Sequence, residues 1–392
     1  MLQKNKTKIA LICPADFTVV LCCKWIIKTL REMGHEVIVI SPLSSDDFFI
    51  KKIKEFNVPH ISIKMNRHIN IFDDFTYIYS LIRIFRNYKI NTVFAVCTKP
   101  NIYVPIAAKI IGIKDIYTSV WGRGTAFLNK KNLRGKLIKK LLLLLYKLSF
   151  LISKKIWFTN PSDMRYFIKK NILKRKKAVL THNYIDSDIY LPNKLSKGQR
   201  EILHKEFKIK KGTTVIILVG RMIWSKGIRE FVEAGKILNK KYNGLKFLLV
   251  GAEEPNNPDA VPRAYLDDLS KLSFIIWTNF RKDVPALYSI SNIAVLPSFY
   301  KEGGYPRAIT EPMSMEIPVI AADTEDCRGP IVDMKNGLLV KAKDAIDLAN
   351  KIEILIKDND FSQKISKEAR KTILNEFDEK IIIKELFQKI FN

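Results

Sequence analysis

Two series of short apolar runs, each separated from the next by a stretch with helical periodicity, place the strongest constraint on the fold. The first series is KIALICP (8–14), EVIVISP (36–42), NTVFAV (91–96), DIYTSV (115–120), KIWFTN (155–160) and KAVLTHN (177–183). The second is TTVIILVG (213–220), LKFLLVG (245–251), LSFIIWTNF (272–280), IAVLPSF (293–299) and PVIAAD (318–323). Apolar strands that alternate with helices are typical of parallel sheets covered on both faces. The sequence therefore predicts an α/β protein with two similarly wound domains.

The length and one polar stretch predict where the domains meet. A chain of 392 residues exceeds what one hydrophobic core usually organises. Between the two series, YLPNKLSKGQREILHKEF (190–207) is polar and contains a proline and a glycine, as is typical of a linker. We therefore predict a first domain over 1–195, a second domain over 196–375 and a C-terminal helix over 376–392.

Positive charge is concentrated in the first half of the chain. Residues 1–200 contain 37 Lys and Arg against 12 Asp and Glu, whereas residues 201–392 contain 30 against 27. Such an imbalance suits nucleic acid, an anionic membrane surface or an anionic lipid-linked substrate, and composition leaves the three open. The five cysteines lack C-x-x-C spacing, which favours a reducing compartment over a disulfide framework or a zinc site. The first apolar run is too short for a secretory signal, so a cytoplasmic protein is expected.

The stretch RGKLIKKLLLLLYKLSFLISKK (134–155) combines leucines with lysines. Its longest uncharged run, 141–146, is far shorter than the roughly 20 residues that span a bilayer. On a helix with about 100° per residue, one sector contains lysines and two apolar residues. These are Lys136, Lys139, Lys140, Leu143, Lys147 and Phe150. One interpretation is a patch that binds anionic headgroups and inserts its apolar residues. The alternative is a domain helix with solvated lysines, and the 22 basic against 4 acidic residues over 101–200 favour the membrane.

The stretch VGRMIWSKG (219–227) joins the end of a predicted strand to the start of a helical pattern. In doubly wound sheets ligands bind at the carboxyl ends of strands, and a helix N-terminus favours phosphate. Arg221, with its planar fork, and Lys226, as a point charge, are therefore candidates to hold a diphosphate. The alternative is a pair of solvated charges in a surface loop.

The stretch KEGGYPRAITEP (301–312) places Glu302 and Glu311 at the two ends of a glycine-containing loop. Gly303 and Gly304 allow a ligand to approach the backbone closely. Two acceptor carboxylates suit a ligand rich in hydroxyl groups, with one carboxylate for a ribose and one for a sugar. The alternative is that glutamate near a helix start only offsets the helix dipole.

Taken together, the motifs resemble those of a known family. G-R-M-x-x-S-K-G, F-L-L-V-G, E-G-G-Y-P-R-A-I-T-E-P-M-S-M and P-V-I-A-A-D-T-E-D-C-R-G-P-I-V-D-M-K-N-G-L-L-V follow in order between Val219 and Val340. This series resembles the group 1 retaining nucleotide-sugar glycosyltransferases of bacterial polysaccharide and lipid-linked oligosaccharide assembly. The first half resembles them loosely, mainly in IYTSVWGRGTAF (116–127). The resemblance implies the GT-B fold, with two facing Rossmann-like domains, the nucleotide sugar held mainly by the second, and a C-terminal helix that returns to the first.

The resemblance also implies roles for individual residues. Arg221 and Lys226 correspond to the pair that neutralises the donor diphosphate and its leaving charge. Glu311 corresponds to the carboxylate that accepts from the ribose hydroxyls, and Glu302 to the one that addresses the donor sugar. The backbone amides that assist Glu302 belong to Gly303, Gly304 and Tyr305. Eight residues separate Glu302 from Glu311 here, where the family usually has seven.

The implied function is a retaining, metal-independent transfer of a sugar, of N-acetylhexosamine type, from a UDP-sugar to a polyprenyl-diphosphate-linked acceptor. The enzyme would work in synthesis of surface glycans such as lipopolysaccharide O-antigen, on the inner face of the membrane, with no cofactor and no nucleic acid. A nucleotide-sugar epimerase of the same fold is an alternative and needs no acceptor. A basic nucleic-acid-binding protein is another, with steeply salt-dependent affinity. Asp186-Ser-Asp188 is too short a pattern to predict a metal site.

Overall fold

The computed structural model describes residues 7–44, 47–66, 70–122, 133–192, 195–302 and 304–391. It divides into two compact units, each built on one parallel sheet. Unit 1 contains residues 1–182 together with 382–392, and unit 2 contains residues 183–381. The two-domain α/β architecture predicted from the sequence is confirmed.

Unit 1 contains a seven-stranded sheet whose strands all run parallel, in the order β3-β2-β1-β4-β5-β6-β7. The strands are β1 (Lys8–Ile12), β2 (Glu36–Ser41), β3 (His60–Ser62), β4 (Thr92–Val96), β5 (Asp115–Val120), β6 (Lys155–Phe158) and β7 (Ala178–Leu180). Every residue of β4 is buried, as expected for a central strand with helices over both faces.

The helices of unit 1 include one from the far end of the chain. They are α1 (Asp16–Cys22), α2 (Lys24–Glu32), α3 (Asp47–Glu55), α4 (Ile71–Asn87), α5 (Thr98–Ile110), α6 (Leu133–Ile152), α7 (Pro161–Lys169) and α16 (Glu379–Phe391). Helices α4 and α6 both pack against α5, and the three share one hydrophobic core. From residue 382 onward α16 belongs to this unit, where the ring of Phe391 lies 5.5 Å from Tyr117 and 5.9 Å from His35. The C-terminal helix therefore returns to the first domain, as the resemblance implied.

Unit 2 contains a six-stranded parallel sheet in the order β10-β9-β8-β11-β12-β13. The strands are β8 (Thr214–Val219), β9 (Leu245–Val250), β10 (Ile275–Trp277), β11 (Ile293–Leu296), β12 (Val319–Ala322) and β13 (Leu338–Val340). The helices are α8 (Lys197–Glu206), α9 (Ile228–Asn239), α10 (Arg263–Asp268), α11 (Val284–Ser289), α12 (Arg307–Ser314), α13 (Glu325–Arg328), α14 (Ala345–Lys357) and α15 (Asn359–Thr372). Because β8 and β11 are neighbours, the loops that follow them leave the same edge of the sheet.

The change of unit falls earlier than the predicted boundary between 195 and 196. Ile185 forms a parallel bridge with Asp378, and Tyr190 is buried in a core of unit 2. The segment predicted to be a linker, 190–207, therefore lies wholly within unit 2, which begins at Asn183. At the other end, the chain passes back to unit 1 at Ile382 rather than at 376.

The prediction that two apolar residues of α6, Leu143 and Phe150, insert into the membrane is wrong. Phe150 is 2% exposed and belongs to the core of unit 1, and Leu143 is half-buried against that core. Of the predicted lysines, Lys139 is half-buried, whereas the others are exposed, namely Lys136, Lys140 and Lys147. No helix in the described part of the chain has the length and hydropathy needed to cross a bilayer.

Candidate functional site

The loop after β8 is shaped by a glycine that no other residue can replace without strain. A single turn of 3₁₀ helix, Trp224–Lys226, leads into Gly227, which has φ of 82° and ψ of 27°. A Cβ at this position would lie 2.5 Å from the carbonyl oxygen of Pro297. Both the left-handed backbone and the close approach require glycine. This geometry fixes Lys226 immediately before the first turn of α9.

Lys226 and Glu302 form a buried ion pair. The Lys226 Nζ lies 2.6 Å from each carboxylate oxygen of Glu302, and each side chain is 9% exposed. The Ser298 hydroxyl donates to the same carboxylate at 2.7 Å, and the Glu302 amide donates to Asp326 at 2.8 Å. Glu302 therefore has three hydrogen-bonding partners: Lys226 and Ser298 donate to its carboxylate, and Asp326 accepts from its backbone amide. The structure brings these two predicted site residues into direct contact.

Arg221 approaches the same region across an aromatic ring. The Tyr300 ring centroid lies 5.1 Å from the Arg221 Cζ and 5.7 Å from the Lys226 Nζ. The Tyr300 amide donates to the Ser225 carbonyl at 3.0 Å, which ties the ring to the loop after β8. The Arg221 guanidinium also contacts the Glu254 carboxylate at 3.3 Å. The side chains of Arg221 and Lys226 thus both lie close to the Tyr300 ring, and the Arg221 side chain is partly exposed to solvent.

Glu311 lies on α12 in a separate cluster, where its own side chain is 9% exposed and that of Arg307 is 34% exposed. Its Oε1 accepts from the Tyr190 hydroxyl at 2.8 Å and from the Arg307 Nε at 3.0 Å. The ring of Tyr288 lies 6.5 Å from that of Tyr190. Burial raises the pKa of Glu311, and the positive charge of Arg307 and the hydrogen bond from Tyr190 act against that rise. Burial and the neighbouring Glu311 charge likewise raise the pKa of Tyr190.

The loop between the two glutamates packs against the first residue of unit 2. The Asn183 Nδ2 donates to the carbonyl of Tyr305 at 2.8 Å. Gly304 has φ of 143°, and a Cβ there would lie 2.6 Å from the Asn183 Nδ2. Gly304 thus permits this contact. Gly303 lies outside the described residues.

The Asp-Ser-Asp sequence serves a structural purpose. Asp186 accepts from the backbone amides of Asp188 and Ile189 at 3.1 and 3.3 Å, and Asp188 pairs with Lys380 at 2.8 Å. Within the described ranges, no three His, Cys, Asp or Glu side chains are grouped so that they could hold a metal ion.

Two family models match the chain. The model for glycosyl transferases group 1 matches residues 199–372, and the model for glycosyl transferase 4-like domains matches residues 8–160. The chain belongs to the group 1 glycosyltransferases. The first match covers most of unit 2, including every predicted donor-site residue, and the second covers most of the sheet of unit 1.

This glycosyltransferase is similar to enzymes of lipid-linked glycan assembly. It is 27% identical over 358 residues, 91% of either chain, to N,N'-diacetylbacillosaminyl-diphospho-undecaprenol alpha-1,3-N-acetylgalactosaminyltransferase of Campylobacter jejuni. It is 24% identical over 333 residues to UDP-Gal:alpha-D-GlcNAc-diphosphoundecaprenol alpha-1,3-galactosyltransferase of Escherichia coli, covering 84% of this chain and 82% of that one. The fold matches that of Alr3699/HepE of Anabaena, solved with UDP and glucose, with a TM-score of 0.79 and 17% identity over 98% of this chain and 99% of that one. The glycosyltransferase therefore has the GT-B fold.

The structure brings together three of the charged residues predicted for the donor site, Arg221, Lys226 and Glu302, and it adds two tyrosines that the sequence did not predict. Tyr300 lies between the two cations, and Tyr190 donates to Glu311. Tyr300 directly precedes the KEGGYP loop in the sequence, so its position was a usable signal. Tyr190 lies 121 residues from Glu311, in the stretch assigned to the linker, and no spacing rule pointed to it.

Proposed function

We propose that this chain is a retaining glycosyltransferase that moves a sugar, of N-acetylhexosamine type, from a UDP-sugar to a polyprenyl-diphosphate-linked acceptor. In this proposal the reaction uses no metal and no cofactor, and the enzyme works at the cytoplasmic face of the membrane in the synthesis of a bacterial surface glycan. The donor binds to unit 2, and unit 1 supplies the acceptor side.

The observation that carries the proposal is the arrangement of Arg221 and Lys226 around Tyr300, at the amino end of α9. Two cations on one ring, next to a helix of 12 residues, suit a group that carries negative charge on adjacent phosphates. Lys226 is almost fully buried, so its charge is screened little by water. Fixed charges of this kind stabilise a departing nucleoside diphosphate more than they stabilise the bound donor.

Glu302 can accept a hydrogen bond from the donor sugar while its ion pair with Lys226 remains intact. The Lys226 ammonium has three donors, so it can hold Glu302 and still donate to a phosphate oxygen. A carboxylate has about four acceptor positions, and Lys226 and Ser298 use only some of those on Glu302. We propose that a sugar hydroxyl donates to the remaining position, assisted by the amides of Gly303, Gly304 and Tyr305.

In the proposed transfer, the bond between the anomeric carbon and the UDP oxygen breaks. The acceptor hydroxyl oxygen bonds to the same carbon from the face that UDP leaves, which retains the anomeric configuration. The hydroxyl proton passes to a phosphate oxygen of the departing UDP. Arg221 and Lys226 hold the negative charge that develops on that diphosphate, so no strongly basic side chain is needed.

The acceptor class is supported by the names of the relatives and by charge. Both relatives described above carry diphospho-undecaprenol or diphosphoundecaprenol in the name of the acceptor. The 37 basic against 12 acidic residues over 1–200 would attract such an anionic, membrane-borne substrate.

Glu311 provides the first test of donor binding. UDP and one UDP-sugar are expected to raise the thermal unfolding midpoint of the full chain as their concentration increases, because they bind only the native state. Glu311→Gln should weaken UDP binding by about tenfold to a hundredfold, because hydrogen bonds from the ribose hydroxyls to a charged acceptor are lost. The matched control is Glu233→Gln on α9, whose carboxylate is exposed and pairs with Lys236.

Two outcomes would contradict the proposal. Wild-type affinity for UDP in Glu311→Gln would remove the ribose assignment. Conversion of the UDP-sugar in the absence of any acceptor would instead indicate the epimerase.

A further inference from the structure

Helix α6 has a second apolar face, which is directed away from the core. On this face lie Leu137, Leu141, Leu144, Leu148 and Leu151, which are 68%, 45%, 55%, 45% and 52% exposed. We call these five residues the leucine stripe. At about 100° per residue, the stripe lies opposite the buried Leu142 and Tyr146. A helix on a globular domain normally presents polar residues there, so the stripe needs a covering partner.

The charges beside the stripe indicate what that partner is. Lys136, Lys140 and Lys147 are exposed along one flank of the leucine stripe, and the sequence of α6 contains no acidic residue. A second copy of this helix would present the same lysines and no opposite charge. An anionic bilayer instead offers apolar chains for the leucines and negative headgroups for the lysines.

A second helix of the same layer has similar exposed groups. On α4, Phe72, Phe75 and Tyr79 are 83%, 67% and 62% exposed, and Arg83 and Arg86 follow on the exposed side. Helices α4 and α6 both pack on α5 and share the core of unit 1. Exposed aromatic side chains next to arginines are typical of surfaces that lie at the headgroup level of a bilayer. The two helices therefore give the same layer of unit 1 an apolar and basic surface.

We propose that the leucine stripe inserts into an anionic lipid bilayer, with Lys136, Lys140 and Lys147 on the headgroups. This inference rests on the proposed function, since it brings the enzyme to the surface where a polyprenyl-linked acceptor resides. It replaces the face predicted from the sequence, whose Leu143 and Phe150 pack on the core.

The test is co-sedimentation of the full chain with vesicles of phosphatidylcholine and phosphatidylglycerol in equal parts. We expect binding to these vesicles and much weaker binding to phosphatidylcholine alone. Leu144→Glu with Leu148→Glu should weaken binding by about a hundredfold, because two charges replace inserted leucines. The matched control is Ile202→Glu on α8, a residue that is 68% exposed on unit 2, and it should bind vesicles as the wild type does.

A second variant isolates the charge contribution. Replacing Lys136, Lys140 and Lys147 by Gln should weaken binding to the anionic vesicles by about tenfold or more. The matched control replaces three exposed lysines of unit 2, Lys197, Lys205 and Lys208, by Gln and should leave vesicle binding unchanged.

Three results would overturn the inference. The first is that the wild type does not bind the vesicles, and the second is that the leucine variant binds them as well as the wild type does. The third is that the wild type is a dimer and the leucine variant is a monomer that still binds the vesicles. Donor binding is measured in parallel by the UDP-dependent unfolding midpoint, which involves unit 2. If UDP raises the unfolding midpoint of the wild type but the wild type does not bind vesicles, only the membrane role of the leucine stripe is refuted. If UDP does not raise the unfolding midpoint of the wild type, the proposed function is refuted.

Discussion

Replacing Lys226 by alanine is expected to lower kcat by about a hundredfold to a thousandfold, the usual effect of removing one preorganised group that stabilises developing charge. The Lys226 Nζ is buried beside the proposed diphosphate position and is fixed by Glu302 at 2.6 Å. Because negative charge grows on the diphosphate as the sugar leaves, the loss should appear in kcat more than in KM. The measurement is steady-state transfer from a UDP-sugar to a lipid-linked acceptor.

The control must separate electrostatic stabilisation from the effect on Glu302. In Lys226→Ala the Glu302 carboxylate loses its buried partner, and an uncompensated buried charge is strongly destabilising. The double variant Lys226→Ala with Glu302→Gln removes that charge as well. We expect its thermal stability to recover toward the wild type while kcat stays low. Recovery of kcat in the double variant would show that Lys226 acts only by neutralising Glu302, and unchanged turnover in Lys226→Ala would exclude it from the chemistry.

Replacing Gly227 by alanine is expected to lower the free energy of unfolding by about 2–4 kcal/mol, through backbone strain and steric overlap together. The residue has φ of 82°, and its new Cβ would meet the Pro297 carbonyl oxygen at 2.5 Å. The relief of that overlap must move the loop that carries Lys226, so UDP binding should weaken as well. Chemical unfolding and UDP titration measure the two effects.

Gly244 supplies a matched control for this substitution. It has φ of 79°, but the nearest atom to a new Cβ is the Gly212 carbonyl oxygen at 3.9 Å, which is ordinary contact. Gly244→Ala should therefore cost only the left-handed strain of about 1 kcal/mol and leave UDP binding intact. Equal losses of stability in the two variants would mean that the approach to Pro297 is not what requires glycine.

The sequence predicted the fold because the apolar runs of the strands are long and regularly separated by helical patterns. The two strands that it did not predict, β3 and β13, have three residues each and lie at sheet edges. A run of three residues is too short to show a clear period, so the sequence predicted two of the four short edge strands, β7 and β10, and missed the other two. The domain boundary was displaced because the composition of 190–207 is that of a linker, whereas burial of Tyr190 depends on unit 2 residues far away in the sequence.

The contact between Lys226 and Glu302 was predictable because neighbouring parallel strands present their carboxyl ends together. Lys226 follows β8 and Glu302 follows β11, so residues 76 positions apart meet at one sheet edge. The prediction of which face of α6 is exposed was wrong for a different reason. A helical projection shows which residues share a side but not which side is packed, and Phe150 lies 5.3 Å from the rings of Tyr146 and Phe167. The contact with Phe167 is made with α7 and cannot be read from the sequence of α6 alone.

The return of α16 to unit 1 affects the order in which the protein is completed on the ribosome. Unit 2 is one continuous segment, 183–381, and has all its residues once that segment has emerged. Unit 1 needs residues from 382 onward, among them Phe391, which packs beside Tyr117 of β5. The domain made first therefore remains unfinished until the domain made second has been synthesised. During that interval the surface that Phe391 and its neighbours later cover stays open on the nascent chain.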